Sequence, residues 1–558
     1  MTVPLLKIRN LTVEAFFPEE GWRPVITGFN LSVGRGEVVA LIGESGGGKT
    51  TIGLCALGYA RPGMRIASGE VLFEGDDILR YSTDQLQQFR GGKVAYVAQS
   101  AAAALNPALK VGRQIEEGLR QHRVSSRAEA GRRAVDLLRR LNLPDPENLV
   151  NRYPHELSGG QQQRVMTAMA MACDPALIVF DEPTTALDVT TQVQVLKSIK
   201  DTIRTADASA LYVSHDLAVV SQVATRIVVL RNGAIVEQGP TFDVLHRPAE
   251  DYTRLLLDAV RTVPEAPIGE TSVPGPCVPE AAEPALVSVR GIEATYQKTG
   301  FLAKRRALTN VLHGVDIEIR RSEILAIVGE SGSGKSTLAR IIAGLHAPTK
   351  GSVAYAGETL PARVSGRSLD MLRRIQIVFQ SPEQALNPRL SVGQAVGRPL
   401  AFYFRMGGRE KMLRVRELLD MVGLPARVEE KSPRELSGGQ RQRVAIARAL
   451  AARPDIILCD EFLSALDTVV AARITELMER LRDQLGTAFV FISHDLATVA
   501  EIADRVIVLK DGRVVDAGST TRIFNEDVDR YTDLLIRSVP QLRPGWLEET
   551  LAAGPAKA

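Results

Sequence analysis

Gly43-Glu44-Ser45-Gly46-Gly47-Gly48-Lys49-Thr50 occurs a second time in this 558-residue chain, as Gly329-Glu330-Ser331-Gly332-Ser333-Gly334-Lys335-Ser336. An apolar run precedes each copy, Val38–Ile42 and Ile324–Val328, and reads as a buried strand. A helix-compatible segment follows each. Strand, glycine-rich loop and helix in that order predict a phosphate-binding P-loop. Its glycines let successive backbone N–H groups turn inward on phosphate oxygens, and the helix adds its positive N-terminus. Lys49 and Lys335 then reach the β- and γ-phosphates, and Thr50 and Ser336 offer hydroxyls to Mg²⁺. Thr51 and Thr337, next in line, complete the set expected to bind the triphosphate. Two such loops predict two nucleoside triphosphate sites in one chain.

The repeat runs far beyond the loops. Leu157–Arg164 (Leu-Ser-Gly-Gly-Gln-Gln-Gln-Arg) returns as Leu436–Arg443, Ile178–Glu182 as Ile457–Glu461, and Val213–Leu217 as Ile492–Leu496. Ser158 to Ser437, Asp181 to Asp460 and His215 to His494 all differ by 279, so this half of the repeat carries no net insertion. Lys49 and Lys335 differ by 286 and Gln99 and Gln380 by 281, which places small length changes in loops between motifs. Long internal repeats of this kind indicate duplicated structural units. Six prolines (264, 267, 274, 276, 279 and 284) mark residues 259–284 as an extended linker. The expected domains are 1–258 and 285–540, with a tail at 541–558. Short apolar strands alternating with helices predict an α/β fold with a mainly parallel sheet in each half. Helical stretches are expected near Arg132–Leu141 and Glu410–Val422. The β-rich starts Leu6–Phe17 and Leu286–Tyr296 add an antiparallel layer.

Composition narrows the class by exclusion. A net charge of +3 gives no case for a nucleic-acid partner. No apolar run approaches the ~20 residues that span a bilayer, and the order of the first residues is not that of a secretion signal. Four scattered cysteines (55, 173, 277 and 459) fit a reducing compartment and neither a disulfide framework nor a zinc site. Cys459, on an apolar strand, reads as a core residue.

With these motifs in order, both halves resemble the nucleotide-binding domains of ABC transporters. The order is P-loop, glutamine (Gln99, Gln380), Leu-Ser-Gly-Gly-Gln, Asp-Glu strand and histidine. The resemblance covers nearly the whole chain except linker and tail. It implies two α/β domains, each with a P-loop sheet core, an antiparallel layer and a helical subdomain. It also implies ATP and Mg²⁺ as ligands, with hydrolysis at two composite sites. In that arrangement Glu182 and Glu461 serve as general bases, and His215 and His494 contact the γ-phosphate. Thr50, Gln99 and Asp181 hold the metal in one site, and Ser336, Gln380 and Asp460 in the other. Ser158, Gly159, Gly160 and Gln161 serve the nucleotide of the second half. Ser437, Gly438, Gly439 and Gln440 serve that of the first. In the family an aromatic residue shortly after the first strand stacks on adenine, which implies Tyr296 in the second half. Ala15 aligns with it in the first, leaving Phe16 either to shift toward the base or to point into the β layer.

Two further stretches sharpen the resemblance. Leu105-Asn106-Pro107 and Leu386-Asn387-Pro388 follow the glutamines, and each half ends in Tyr-Thr-x-Leu-Leu (Tyr252–Leu256, Tyr531–Leu535). Both features are similar to the ATPases of bacterial oligopeptide, dipeptide, glutathione and nickel importers. Such a subunit sits peripherally on the cytoplasmic face of the inner membrane. It works with two permease subunits and, through them, an extracytoplasmic solute-binding protein. Many relatives carry a C-terminal cysteine cluster; Cys277 alone predicts no iron–sulfur centre here. The alternative, a duplicated ABC ATPase acting on the ribosome, is expected to have a longer, charged helical linker.

Overall fold

The computed structural model describes residues 3–17, 20–124, 126–185, 187–206, 208–263, 284–297, 308–464, 466–526 and 528–553. Most of the proline-rich linker, residues 264–283, lies outside them. The described chain divides into two units. The first holds residues up to 260 together with 467–469 and 540–553, and the second holds 261–466 and 470–539.

The first unit contains β1 (Leu6–Phe17), β2 (Gly21–Val33), β3 (Val38–Ile42), β4 (Met64–Phe73), β5 (Asp76–Asp77), β6 (Val94–Val97), β7 (Leu177–Asp181), β8 (Ser209–Val213), β9 (Arg226–Arg231) and β10 (Ala234–Pro240). A six-stranded sheet runs β10-β9-β3-β8-β7-β6, parallel except for the β9–β10 pair. Beside it lies an antiparallel sheet in the order β2-β1-β4-β5. Every residue of β3 is buried, as expected for a parallel strand covered on both faces. Its side chains alternate between two cores. Val38, Ala40 and Ile42 join a cluster with Leu137, Val165 and Leu196. Val39 and Leu41 join one with Leu6, Val13 and Phe73.

The second unit repeats the plan. Its strands are β11 (Val287–Gln297), β12 (Leu308–Ile319), β13 (Ile324–Val328), β14 (Lys350–Tyr355), β15 (Glu358–Thr359), β16 (Ile375–Val378), β17 (Ile456–Asp460), β18 (Ala488–Ile492), β19 (Arg505–Lys510) and β20 (Arg513–Ser519). The sheet orders are β16-β17-β18-β13-β19-β20 and β12-β11-β14-β15. The expected helical stretches are present as Arg127–Arg140 and Gly408–Met421. In both units the strand before the P-loop is flanked by two strands that come later in sequence. The carboxyl end of β3 or β13 is therefore a topological switch point, where open α/β sheets bind ligands.

Residues beyond 540 read from sequence as a short tail, but part of this stretch is built into the first unit. Trp546, on the helix Trp546–Ala553, is only 2% exposed and joins the same core as Leu196. Gln222 Nε2 donates to the carbonyls of Gln541 at 2.8 Å and Arg543 at 3.0 Å, and its Oε1 accepts from Leu547 N–H at 3.3 Å. Lys200 pairs with Glu548. Among the described residues no helix is long and apolar enough to cross a membrane.

Removing a buried indole leaves a large cavity. Trp546→Ala is expected to destabilise the first unit by about 3–5 kcal/mol. Trp22, the only other tryptophan in the chain, lies in the same unit and reports its unfolding in urea by fluorescence. An unchanged midpoint contradicts the structural role of the C-terminal helix.

Candidate functional site

Each P-loop joins the end of its strand to a helix, Lys49–Cys55 or Lys335–Ile342. Gly43 has φ +146°, and a Cβ there would meet the carbonyl oxygen of Leu230, on β9, at 2.0 Å. Gly329 repeats this with φ +144° and Leu509 O at 2.1 Å. Only glycine fits a backbone wedged this closely against the neighbouring strand. Lys49 Nζ donates to the carbonyls of Gly43 at 2.6 Å and Glu44 at 2.9 Å. Lys335 does the same to Gly329 at 2.8 Å and Glu330 at 2.9 Å. Burial pushes the Lys49 ammonium below its ordinary pKa, opposed by the charges of Glu182 and Asp181.

Around these lysines the structure gathers most of the residues expected from sequence. Thr50 Oγ1 donates to Asp181 Oδ1 at 2.8 Å, and Ser336 Oγ to Asp460 Oδ1 at 2.6 Å. Gln99 Nε2 donates to Glu182 Oε2 at 2.8 Å, and Gln380 Nε2 to Glu461 Oε2 at 3.2 Å. His215 Nδ1 lies 3.3 Å from Glu182 Oε1, and His494 Nδ1 lies 3.9 Å from Glu461 Oε1. Strand order explains the convergence: β7 delivers Asp181 and Glu182 next to the end of β8, from which His215 follows. Burial alone would raise the Glu182 carboxyl, but the His215 hydrogen bond and charge, with Lys49, hold it below the ordinary value. His215 is raised in turn, the Glu182 carboxylate outweighing burial.

Glu182 and Glu461 share a backbone peculiarity. Both sit at φ +46°, in the left-handed region, which costs a non-glycine residue about 1–3 kcal/mol. The neighbouring strand holds each there: Glu182 N–H donates to Val213 O at 2.9 Å, and Glu461 N–H to Ile492 O at 3.0 Å. Matched left-handed residues also occur away from the P-loops, at Asp174 and Arg453 and at Asn232 and Asp511, so the duplicated backbone is reproduced in detail.

The Ser-Gly-Gly-Gln stretches open the helices Gly159–Met171 and Gly438–Leu450. Ser158 and Ser437 are N-caps, and both helices begin with a capping box. Gln161 Oε1 accepts from Ser158 N–H at 3.0 Å, and Gln440 Oε1 from Ser437 N–H at 3.1 Å. Gln161 and Gln440, expected among the ATP-binding residues, are thus engaged in shaping the helix starts. Ser158, Gly159, Ser437 and Gly438 are exposed.

The adenine side differs between the units. Pairing of Val13 with Ile26 and of Ala294 with Leu312 puts Ala15 at the strand position of Tyr296. The side chain of Tyr296 lies outside the described residues. Phe16 does not enter the β-layer core: it is 52% exposed and packs edge-on against Trp22, with ring centres 5.6 Å apart. Phe16 pairs directly with Trp22 across the ladder, and that contact holds the ring at the surface.

Tyr96 escaped the sequence reading. It lies on β6, three residues before Gln99, and its hydroxyl donates to Asp181 Oδ2 at 2.6 Å. The matching residue in the second half is Ile377, so the two sites differ at this carboxylate. Burial raises the Asp460 carboxyl, with the Ser336 hydrogen bond opposing it. Tyr252 and Tyr531 also went unread as site residues, although their hydroxyls touch the P-loops.

Known proteins resemble this chain along most of its length. Two regions, 26–185 and 312–464, match the family model described as ABC transporter. Residues 236–280 and 515–557 match that of the oligopeptide/dipeptide transporter C-terminal region. A glutathione import ATP-binding protein, GsiA, of Pectobacterium atrosepticum is 36% identical over 571 residues, covering 97% of this chain and 90% of that protein. The peptidoglycan transport ATP-binding protein YejF of Agrobacterium fabrum is 38% identical, with 96% of each chain covered. Among solved structures, a dimeric post-hydrolysis state of the cassette MJ0796 is 36% identical. It covers 42% of this chain and 98% of its own, with a TM-score of 0.38.

Gly43→Ala forces a Cβ onto a backbone carbonyl, whereas at Gly46 nothing lies within 4 Å. Gly43→Ala is expected to cost roughly 1–3 kcal/mol of overpacking beyond the backbone strain and to abolish nucleotide binding in the first unit. Gly46→Ala, at φ +84°, should show only the left-handed penalty of about 1–2 kcal/mol. Equal losses for the two variants, read from calorimetric melting, contradict the wedge at Leu230.

Proposed function

Because the chain belongs to the ABC transporter ATPase family, we propose that it energises import of a peptide-class solute through two membrane permease subunits. Loading would come from an extracytoplasmic solute-binding protein, and the chain would sit on the cytoplasmic face of the inner membrane. The observation that carries this reading is that two full P-loop sites are each joined to an oligopeptide/dipeptide-type C-terminal region. Relatives named for glutathione and for peptidoglycan transport support a solute with peptide bonds.

The residues fit the chemistry of triphosphate hydrolysis. Backbone N–H groups of the P-loop and first helical turn, with Lys49 or Lys335, take the β- and γ-phosphates. The Thr50–Asp181 and Ser336–Asp460 oxygen pairs fit Mg²⁺, which prefers one or two protein oxygens beside phosphate. When bound, Mg²⁺ neutralises charge on the phosphate oxygens. Glu182 and Glu461 accept the proton of the attacking water as the bond from the γ-phosphorus to ADP breaks. His215 holds the Glu182 carboxylate ionised and oriented, and Gln99 and Thr185 fix its other oxygen. His494 and Gln380 flank Glu461 in the same way. The exposed starts of the Ser158 and Ser437 helices offer backbone donors to the γ-phosphate. Tyr59 and Leu345, at matched positions after the P-loop helices, are exposed apolar side chains.

The test is uptake in proteoliposomes carrying the permeases, with binding protein and labelled peptide supplied. Peptide-dependent stimulation of ATPase and uptake are expected with the natural chain. Glu182→Gln with Glu461→Gln should bind ATP normally and lose at least a hundredfold in turnover. Uptake by the double variant removes both glutamates from catalysis. ATPase stimulated by ribosomes and indifferent to permeases overturns the transport reading.

A further inference from the structure

The Tyr-Thr-x-Leu-Leu sequence that ends each half has a physical role in the phosphate site. In the first unit Tyr252 lies on the helix Asp251–Asp258, whose buried residues also include Thr253 and Leu256. In the second, Tyr531 lies on the helix Arg530–Arg537, whose buried residues also include Thr532 and Leu535. Both tyrosines are buried. Glu44 N–H, from the second P-loop residue, donates to the Tyr252 hydroxyl at 3.1 Å. Glu330 N–H donates to the Tyr531 hydroxyl, also at 3.1 Å.

These N–H groups belong to peptide units already in use. The carbonyl of the Gly43–Glu44 peptide accepts from Lys49 Nζ at 2.6 Å, so one peptide is held by the tyrosine at its N–H and by the lysine at its oxygen. The Gly329–Glu330 peptide is held in the same way by Tyr531 and Lys335. A third contact ties the tyrosines to the strand that wedges the loop. Arg231 stands over the Tyr252 ring, 4.7 Å from its centre, and Lys510 Nζ over the Tyr531 ring at 4.6 Å. Arg231 and Lys510 directly follow Leu230 and Leu509, whose carbonyls lie against Gly43 and Gly329. A cation over an aromatic face is attractive and directional. One strand end therefore fixes the first P-loop residue directly and the second through a tyrosine.

We infer that Tyr252 and Tyr531 are positioning residues for nucleotide binding. Each sets the orientation of the peptide on which the P-loop lysine rests, without touching the nucleotide. Phenylalanine would fill the same space and take the same cation, but it offers no acceptor. The peptide would then be free to rotate, and the lysine would lose its fixed resting point. The inference rests on reading the P-loops as ATP sites, and the controls separate the two.

In the full-length chain, Tyr252→Phe combined with Tyr531→Phe is compared with Thr253→Val combined with Thr532→Val. The threonines are buried on the same helices, and their hydroxyls make no hydrogen bond to the P-loops. Binding of a fluorescent ATP analogue with Mg²⁺, KM and kcat for ATP, and amide exchange over residues 43–50 and 329–336 are measured. The tyrosine variant should weaken binding about fivefold or more, the equivalent of one hydrogen bond. KM should rise more than kcat falls, and exchange in both P-loops should quicken. The threonine variant should leave binding unchanged. Binding by the tyrosine variant within twofold of the natural chain overturns the inference, as does equal weakening by the threonine variant. Lys49→Ala with Lys335→Ala should abolish binding; if it does not, the ATP-site reading itself fails.

Discussion

The carbonyl of Leu230 lies where a side chain on Gly43 would have to be, and Leu509 stands in the same relation to Gly329. Everything in each site depends on that contact. The P-loop leaves its strand between two neighbours that come later in the chain, and it turns at once because it has no room to do otherwise. The turn carries the chain directly into a helix that begins at Lys49 or Lys335, and a helix N-terminus favours anions. A lysine at the helix start can then reach back to the loop carbonyls at 2.6–2.9 Å. Phosphate oxygens offer that ammonium an alternative partner of higher charge, so the site is held ready for them.

A second layer orders the acidic groups. Parallel pairing of β7 with β8 places Asp181 and Glu182 beside the start of the His215 loop. Backbone strain at Glu182 is sustained by its hydrogen bond to Val213, and burial that would protonate the carboxylate is countered by His215 and Lys49. The second unit reaches the same arrangement with looser contacts, 3.2 Å for Gln380 and 3.9 Å for His494. Tyr96 braces Asp181, while Ile377 offers Asp460 no hydrogen bond. The two sites are therefore built on one plan and tuned differently.

Much of this was legible in the amino-acid order because the chemistry demands residue types at fixed spacings. Repeated motifs located both P-loops, the Asp-Glu strands and the histidines, and the apolar runs before them located the central strands. Less visible were residues whose role comes from three-dimensional proximity. Tyr96 looks like any aromatic on a half-buried strand until β6 is paired with β7. Tyr252 lies 208 residues from Glu44, and no spacing rule joins them. The C-terminal helix was hidden for another reason: its alanine-rich sequence resembles a tail, and Trp546 and Leu547 find their core only in the first unit. Alignment by motif already puts Ala15 opposite Tyr296, and the ladder agrees. What the order of residues leaves open is the Phe16 ring, and a direct cross-strand partner, Trp22, decides where it goes.

Two P-loops in one chain should take up two nucleoside triphosphates. Counting nucleotide settles it: a non-hydrolysable ATP analogue with Mg²⁺, titrated by calorimetry into the purified full-length chain. Two molecules bound per chain, falling to one in Lys49→Ala or Lys335→Ala alone, is the predicted result. A single molecule bound by the natural chain, lost in only one of these variants, would contradict it.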